Sequence, residues 1–133
     1  MPGRIVPFTP DMIPDISVNM YAACLSKPVF WHYARIAIGS AFHMVNECEL
    51  DGMVYVMGFG CGIDSFVGDL IERRMRRMTD IPFITVTIDE HSGEAGINTR
   101  LEAFLDMIEW RKANENNISA PGECLYSCEG DFG

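Results

Sequence analysis

Two short strand-like runs separated by one helix-length segment constrain the fold of this chain most. Residues 53–57 and 83–88 are rich in β-branched and other apolar residues, and turn-forming residues bound them. Between them, apolar residues recur at helical spacing from about residue 64 to 78. A strand, a helix and a second strand in this order predict a parallel pair. The predicted fold class is therefore α/β, with a parallel sheet and flanking helices.

Helices are also predicted on either side of this unit. Residues 18–27 form a short helix, and a second runs from Pro28 to about Glu47. The apolar face of this second helix is Ala34, Ile38, Ala41, Phe42 and Val45. A last helix is expected to begin near Thr99, where residues 99–102 have capping-box form. We predict that Asp64 or Ser65 caps the helix between the strands.

The domain organisation follows from these elements. Residues 1–17 hold four prolines and are expected to be an irregular lead-in, with an edge strand conceivable at residues 5–8. Residues 18–113 form one α/β domain, and the polar residues 114–133 form a flexible tail. Two or three strands make a thin sheet. We therefore expect a piece of a larger protein, or a domain that pairs with a copy of itself.

The predicted core combines the inward faces of the strands and helices. The inner face of the helix between the strands is assigned to Phe66, Val67, Leu70, Ile71 and Met78. The whole core is predicted to contain Val54, Val56, Leu70, Ile71, Ile84, Val86, Leu101, Phe104 and Leu105.

Charge and composition exclude several classes of function. A formal net charge of −9 argues against binding to nucleic acid, which requires an excess of Lys and Arg. No apolar run approaches the roughly 20 residues of a membrane helix, and the first 14 residues lack the features of a signal peptide. We therefore expect a cytoplasmic protein without membrane contact. Its five cysteines, an odd number, are expected to be thiols or metal ligands rather than disulfides.

The candidate chemistry lies where the two strands end. Parallel sheets bind ligands at the carboxyl ends of their strands. These ends carry Cys61, in the loop Gly58-Phe59-Gly60-Cys61-Gly62, and the run Asp89-Glu90-His91. A helix N-terminus after Cys61 favours negatively charged groups such as the thiolate that binds iron. Gly60 and Gly62 would let a bulky inorganic cluster approach the backbone.

Other interpretations of these residues stay open at this stage. Cys61 could be a small buried residue, or a nucleophile with His91 as its base. Its glycine loop could also bind an anion, although Ile63 stands where the dinucleotide fingerprint requires its third glycine. The run 89–91 could serve only as a turn, with Glu94 and Arg100 completing an ion-pair network.

The remaining cysteines are weaker candidates. Cys24 and Cys48 are predicted to lie in the core on helices. Cys124 and Cys128 fall in the predicted tail, where a metal knuckle is conceivable but a loose tail is the simpler interpretation.

Three blocks of sequence resemble a known family. They are residues 59–66 (FGCGIDSF), 88–96 (IDEHSGEAG) and 99–106 (TRLEAFLD), in this order. They resemble the C-terminal part of the CoA-substrate-specific enzyme activase-related proteins of the 2-hydroxyacyl-CoA dehydratase group, which also resemble benzoyl-CoA reductase subunits. The chain departs from the family pattern at Ile63, where proline is usual. Full-length members of the family carry an ATPase domain and further cysteine segments upstream, so the resemblance implies that these 133 residues correspond to one piece of such a protein.

This resemblance implies a Rossmann-like domain and a role in low-potential electron transfer. In the wider system, an ATP-dependent activase passes one electron to a dehydratase that removes water from a 2-hydroxyacyl-CoA. Cys61 matches a cysteine that ligates an iron–sulfur cluster, expected to be of the 4Fe-4S type and shared with other segments or chains. Asp64, Ser65, Asp89, Glu90 and His91 would line the same rim.

The implied partners are other parts of the dehydratase and activase system or a second copy of the chain, and an acyl-CoA. The cluster Arg73, Arg74, Arg76 and Arg77 could contact coenzyme A phosphates, although a solvated helix face explains it equally. Alone, the chain is not expected to be catalytic. The alternative is a non-enzymatic scaffold or oligomerisation module that keeps the fold and binds no cluster.

Overall fold

A computed structural model describes residues 5–23 and 29–115 of the chain. These residues fall into two compact units, one within Gly3–Leu50 and one within Asp51–Gly122. In this described part, no helix combines the length and the apolarity needed to cross a membrane. Residues 114 and 115 of the predicted tail (114–133) belong to the last helix. Residues 116–133 and the segment 24–28 lie outside the described residues, so the domain boundaries stay a prediction.

The first unit is helical. A 3-10 helix covers Pro10–Met12, followed by helix α1 over Asp15–Ala23 and helix α2 over His32–Glu47. Residues 5–8 form no strand, which corrects the edge strand considered from the sequence. Pro7 in this run has no N–H group to give to a sheet. Helix α1 begins three residues before the predicted Val18, because Ser17 and Val18 both donate backbone N–H groups to the carbonyl of Pro14.

Helix α2 packs on α1 through a close backbone approach. All five residues predicted for its apolar face are buried, and Ala34 and Ile38 are fully so. Gly39 lies against α1 so tightly that a Cβ atom built on it would sit 2.2 Å from the carbonyl oxygen of Val18. The helix starts at His32 rather than in the predicted first turn at Pro28, and residue 28 itself lies outside the described residues.

The second unit is the predicted strand–helix–strand–helix segment. It contains β1 over Met53–Gly58, α3 over Gly62–Met78, β2 over Phe83–Ile88 and α4 over Glu94–Glu115. The strands are parallel and pair in register from Met53 with Phe83 to Gly58 with Ile88. Within the described residues the fold is therefore a two-stranded parallel sheet with four α-helices, which confirms the predicted α/β class and the thin sheet.

Helix α3 packs on the sheet through small and aliphatic residues. Its buried positions are Val67, Gly68, Ile71 and Met75. The ring of Tyr55 on β1 lies on Gly68, 3.0 Å from where a Cβ atom would be, so residue 68 has no room for a side chain. Phe66 is 57% exposed, so its assignment to the inner face was wrong. It precedes Val67 by one residue, and adjacent helical residues point in different directions.

Helix α4 begins five residues earlier than predicted. It starts at Glu94, so Thr99 lies inside the helix and its hydroxyl donates to the carbonyl of Ala95 rather than capping a terminus. Phe104 is buried. A Cβ atom on Gly52 would lie 2.5 Å from Ile108 Cδ1 and 2.9 Å from Phe104 Cζ, so both side chains rest on the start of β1.

The core differs in part from the one predicted from the sequence. Ile71, Val86 and Phe104 are buried as predicted, but Val54 and Val56 are 41% and 50% exposed. They alternate with Tyr55, which is buried toward α3, so they lie on the opposite face of β1. By register Val86 shares that face and is buried, so among the described residues the face is covered at Val86 and exposed at Val54 and Val56. The remaining core predictions, Leu70, Ile84, Leu101 and Leu105, are partly exposed.

Replacing Phe104 by alanine should test how α4 is held. Because its ring is buried and rests on Gly52, we expect Phe104→Ala to lower the free energy of unfolding by about 3–5 kcal/mol. Met107→Ala is the matched control. The Met107 side chain is 42% exposed on the same helix, so this substitution should change the free energy of unfolding by no more than about 1 kcal/mol. Urea unfolding of both variants measures the difference. Equal losses would contradict the described packing of α4.

The contact between α1 and α2 gives a second stability prediction. Gly39→Ala should stabilise helix α2 by up to about 1 kcal/mol through its higher helix propensity. The added methyl group, however, would collide with the Val18 carbonyl, and such overpacking costs about 1–3 kcal/mol. We therefore expect net destabilisation, measured by thermal unfolding. Gly96→Ala, in α4 with no atom within 4 Å of the added methyl, should be neutral or stabilising. A stabilised Gly39→Ala protein would show that the helices do not meet at this point.

Candidate functional site

Both predicted functional loops lie at the carboxyl edge of the sheet. The strands end together, with Gly58 paired to Ile88, and the next residue extends the contact because the Phe59 N–H donates to the Ile88 carbonyl at 2.9 Å. The loop that carries Cys61 and the turn that begins at Asp89 therefore emerge side by side. This confirms the expected parallel geometry of the edge.

Cys61 stands immediately before helix α3, at its N-cap position. Its carbonyl accepts the first helical bond from the Ser65 N–H at 3.1 Å and a second from the Ser65 hydroxyl at 3.0 Å. Its side chain makes no capping hydrogen bond. The thiol is free and partly exposed, so the structure places it where a ligand could reach it rather than sealed in the core.

The loop around Cys61 is held by Gly60 and Asp64. Gly60 has φ +74°, a left-handed conformation that residues with a Cβ rarely adopt. The Asp64 carboxylate accepts the Gly58 N–H at 3.3 Å and so ties the first turn of α3 to the end of β1. Asp64 and Ser65 therefore fix the loop, although neither is the N-cap that the sequence suggested.

The run from Asp89 to His91 forms a tight turn. Asp89 Oδ1 accepts a hydrogen bond from the Ser92 hydroxyl at 2.6 Å and another from the His91 N–H at 2.9 Å. The same Ser92 oxygen accepts the Asp89 N–H at 2.9 Å. The hydrogen bonds to the carboxylate stabilise its ionised form and lower the pKa of Asp89 below its ordinary value. The Ser92 hydroxyl has the largest effect, and the backbone N–H groups have smaller ones. Asp89 is thus a structural carboxylate of this turn.

Glu90 and His91 point into solvent. His91 Nδ1 lies 3.5 Å from Glu90 Oε1, and both side chains are more than 80% exposed. In the described part of the chain nothing links His91 to Cys61, so the structure offers no support for the thiol nucleophile with a histidine base.

A cavity of about 300 Å³ opens beside this turn. Its walls come from both loops and from the first turns of α4, and the lining residues are Phe59, Thr87, Asp89, Ser92, Gly93, Gly96, Ile97 and Arg100. Of the predicted site residues only Asp89 lines it, and Cys61 does not. Sequence reasoning missed Phe59, Thr87, Ser92 and Ile97. The spacing of Asp89 and Ser92, typical of a side-chain-bonded turn, was the one available clue.

Arg100 does not take part in the ion-pair network considered from the sequence. It makes no ion pair with Glu94, nor a hydrogen bond with any other described residue. The four clustered arginines of α3 behave as a solvated helix face in part: Arg73 pairs with Asp69 at 2.9 Å and Arg76 with Glu72 at 2.7 Å, and the arginine side chains of both pairs are exposed.

The described residues contain no complete metal site. Residues 5–23 and 29–115 contain no group of three or more His, Cys, Asp or Glu placed to hold a metal ion. Cys48, predicted as core, instead follows the end of α2 and is partly exposed. Cys24, Cys124 and Cys128 lie outside the described residues. Any cluster on Cys61 must therefore draw its other ligands from elsewhere.

Comparison with known proteins supports the predicted resemblance. The model of a family described as "2-hydroxyglutaryl-CoA dehydratase, D-component" matches residues 6–108. A curated relative, "Putative dehydratase subunit YjiM" of Escherichia coli (strain K12), is 32% identical over 66 residues. That match covers 49% of this chain and only 17% of the relative, so the chain spans about a sixth of that protein. No solved structure matches the chain.

The Asp89 turn predicts a measurable pH dependence. Because the carboxyl pKa is lowered in the folded protein, its ionised form contributes stability to the turn above the ordinary pKa of 3.8. That contribution is lost as the pH falls through the lowered value. We expect Ser92→Ala, which removes the largest cause, to raise the Asp89 pKa toward normal in a carbon-detected NMR titration. An unchanged midpoint would show that Ser92 does not hold this carboxylate.

Proposed function

We infer a function for this chain from one premise: it belongs to the 2-hydroxyglutaryl-CoA dehydratase D-component family. We propose that it serves as an iron–sulfur-associated domain of a 2-hydroxyacyl-CoA dehydratase and activase-type system. In this role Cys61 contributes one ligand to a cluster, of the 4Fe-4S type, used in low-potential electron transfer. We place the function in the cytoplasm, where thiols stay reduced.

The observation that carries this proposal is the position of Cys61. Its thiol is free and partly exposed at the carboxyl edge of a parallel sheet, the edge where such sheets bind ligands. No heavy atom outside the immediate chain lies within 4 Å of where a Cβ would stand on Gly60 or Gly62, so the backbone on both sides of the thiol is open to a bulky group. These features fit one corner of a cluster.

The residues of this chain would act on the cluster by binding and positioning. When bound, an iron–sulfur cluster supplies one-electron transfer, and hydrogen bonds and solvent exposure around it tune its potential. Cys61 would ligate iron, while Ser65 and Asp64 hold the loop through their bonds to Cys61 and Gly58. One cysteine cannot hold a four-iron cluster, so the remaining ligands would come from other components of the system or a second copy.

A second candidate, a scaffold without a cluster, is favoured by a different observation. Val54, Val56 and Ile88 share one face of the sheet by register with the buried Val86, and each of these three is at least 41% exposed. An exposed apolar row on a thin sheet suits contact with another protein. In this alternative the chain keeps the fold and the interface, and Cys61 has no ligand.

Anaerobic reconstitution with iron and sulfide separates the two candidates. We expect the wild-type protein to gain charge-transfer absorption in the visible range, and Cys61→Ser to lose most of it, because serine replaces the iron-binding thiolate. Cys48→Ser is the matched control, since Cys48 is also free and partly exposed but lies in the other unit.

The proposal would be wrong if the wild-type protein, reconstituted alone and with a dehydratase partner subunit, gained no absorption. It would also be wrong if Cys61→Ser retained the wild-type spectrum. Either result favours the scaffold.

A further inference from the structure

We propose that the cavity beside the Asp89 turn is a binding site for a small organic oxyanion, a phosphate ester or a carboxylate, held by Arg100. This site is separate from the proposed cluster position, because Cys61 does not line the cavity. The inference rests on three features of the described residues: an unpaired cation, an exposed aromatic ring and a cavity that contains both.

The first feature is the unpaired guanidinium of Arg100. The chain carries a net charge of −9, so a cation has abundant acidic partners. Every other described Lys or Arg is engaged: Lys112 with Asp51, for example, and Arg111 with Glu115. Arg100 alone, within the described residues, makes no ion pair or hydrogen bond, and it lines the cavity. A planar guanidinium with free donors suits bidentate binding of phosphate or carboxylate oxygens.

The second feature is the apolar wall. Phe59 is 74% exposed although it follows directly on β1 and lines the cavity with Ile97. A ligand that carried an apolar or flat group beside its anion would cover this ring and remove apolar surface from water. An isolated inorganic ion would leave it exposed. The cavity therefore favours an organic anion over inorganic phosphate.

The third feature is the size and charge balance of the cavity. About 300 Å³ is at the small end for ligand sites, which limits the ligand to a small molecule or one end of a larger one. Asp89 also lines the cavity and opposes an anion, but its carboxylate is occupied by the Ser92 hydroxyl and the His91 N–H. Glu94, at the start of α4, also carries negative charge. The oxyanion is therefore expected at Arg100, the cation among the lining residues.

Titration of the full chain with defined probes tests this site. Phenyl phosphate and benzoate carry the two candidate anions on a ring, inorganic phosphate lacks the ring, and benzyl alcohol lacks the charge. We expect either charged aromatic probe to shift the backbone amide signals of Gly93, Gly96 and Ile97 in nitrogen–proton NMR spectra and to saturate. Inorganic phosphate and benzyl alcohol should bind more weakly. Whichever ring-bearing anion binds more tightly identifies the class of ligand.

Three variants assign the binding to Arg100. Arg100→Gln should weaken binding about tenfold or more, since charge-assisted hydrogen bonds are lost, and Arg100→Lys should restore part of it. Asp89→Asn keeps an acceptor for the turn and removes a repelling charge, so it should strengthen binding. Arg76→Gln is the matched control, because it changes the net charge equally on an exposed pair of α3 and should leave the affinity unchanged.

Several results would overturn the proposal. They are the absence of saturable shifts with both ring-bearing anions, wild-type affinity in Arg100→Gln, or equal weakening in Arg100→Gln and Arg76→Gln. If Arg100→Gln does not fold, Arg100→Lys and Asp89→Asn decide the question, since unchanged affinity in both excludes the site. A Cys61→Ser protein should bind the probes normally, so failure of the cluster proposal leaves this one standing.

Discussion

The in-register parallel pairing of β1 and β2 is the constraint on which the candidate site depends. Both strands are six residues long and end at the same level, so their following loops leave the sheet together. A one-residue slip of the pairing would move the Phe59 N–H away from the Ile88 carbonyl and separate the two loops. Because a two-stranded sheet is marginal by itself, this register must be held by the helices packed on it.

The carboxyl edge presents two kinds of chemistry on two different supports. On the β1 side a free thiol stands before α3, in a loop fixed by Gly60 and Asp64. On the β2 side a hydrogen-bonded turn adjoins a cavity whose cation comes from α4. A cofactor at the thiol and a ligand in the cavity, as proposed above, would occupy neighbouring but separately built positions. The family assignment and the two proposals are consistent with that division.

Sequence patterns predicted the parts of this structure that depend on residues adjacent in the sequence. The strand β2 was predicted at its observed bounds, and the edge position of Cys61 followed from parallel topology. The start of α4 was missed because Gly93 and Gly96 are weak helix formers, while residues 99–102 imitate a capping box. The exposure of Val54 and Val56 could not be predicted, since alternation identifies two faces and only tertiary packing decides which positions on each face are covered. The cavity depends on where α4 rests, which is equally non-local.

Helix α4 is anchored near one end. Lys112 pairs with Asp51 at 2.6 Å, Arg111 donates to the carbonyl of Asp80, and Phe104 and Ile108 rest on Gly52. These contacts lie at the amino edge of the sheet, whereas Ile97 in the first turns, about 10–23 Å away along the helix, faces the cavity. Backbone opening of α4 should therefore become easier toward Glu94, with amide exchange protection falling in the same direction. A molecule that bound in the cavity would order these turns, so binding at the site would be thermodynamically coupled to fraying of this end of the helix.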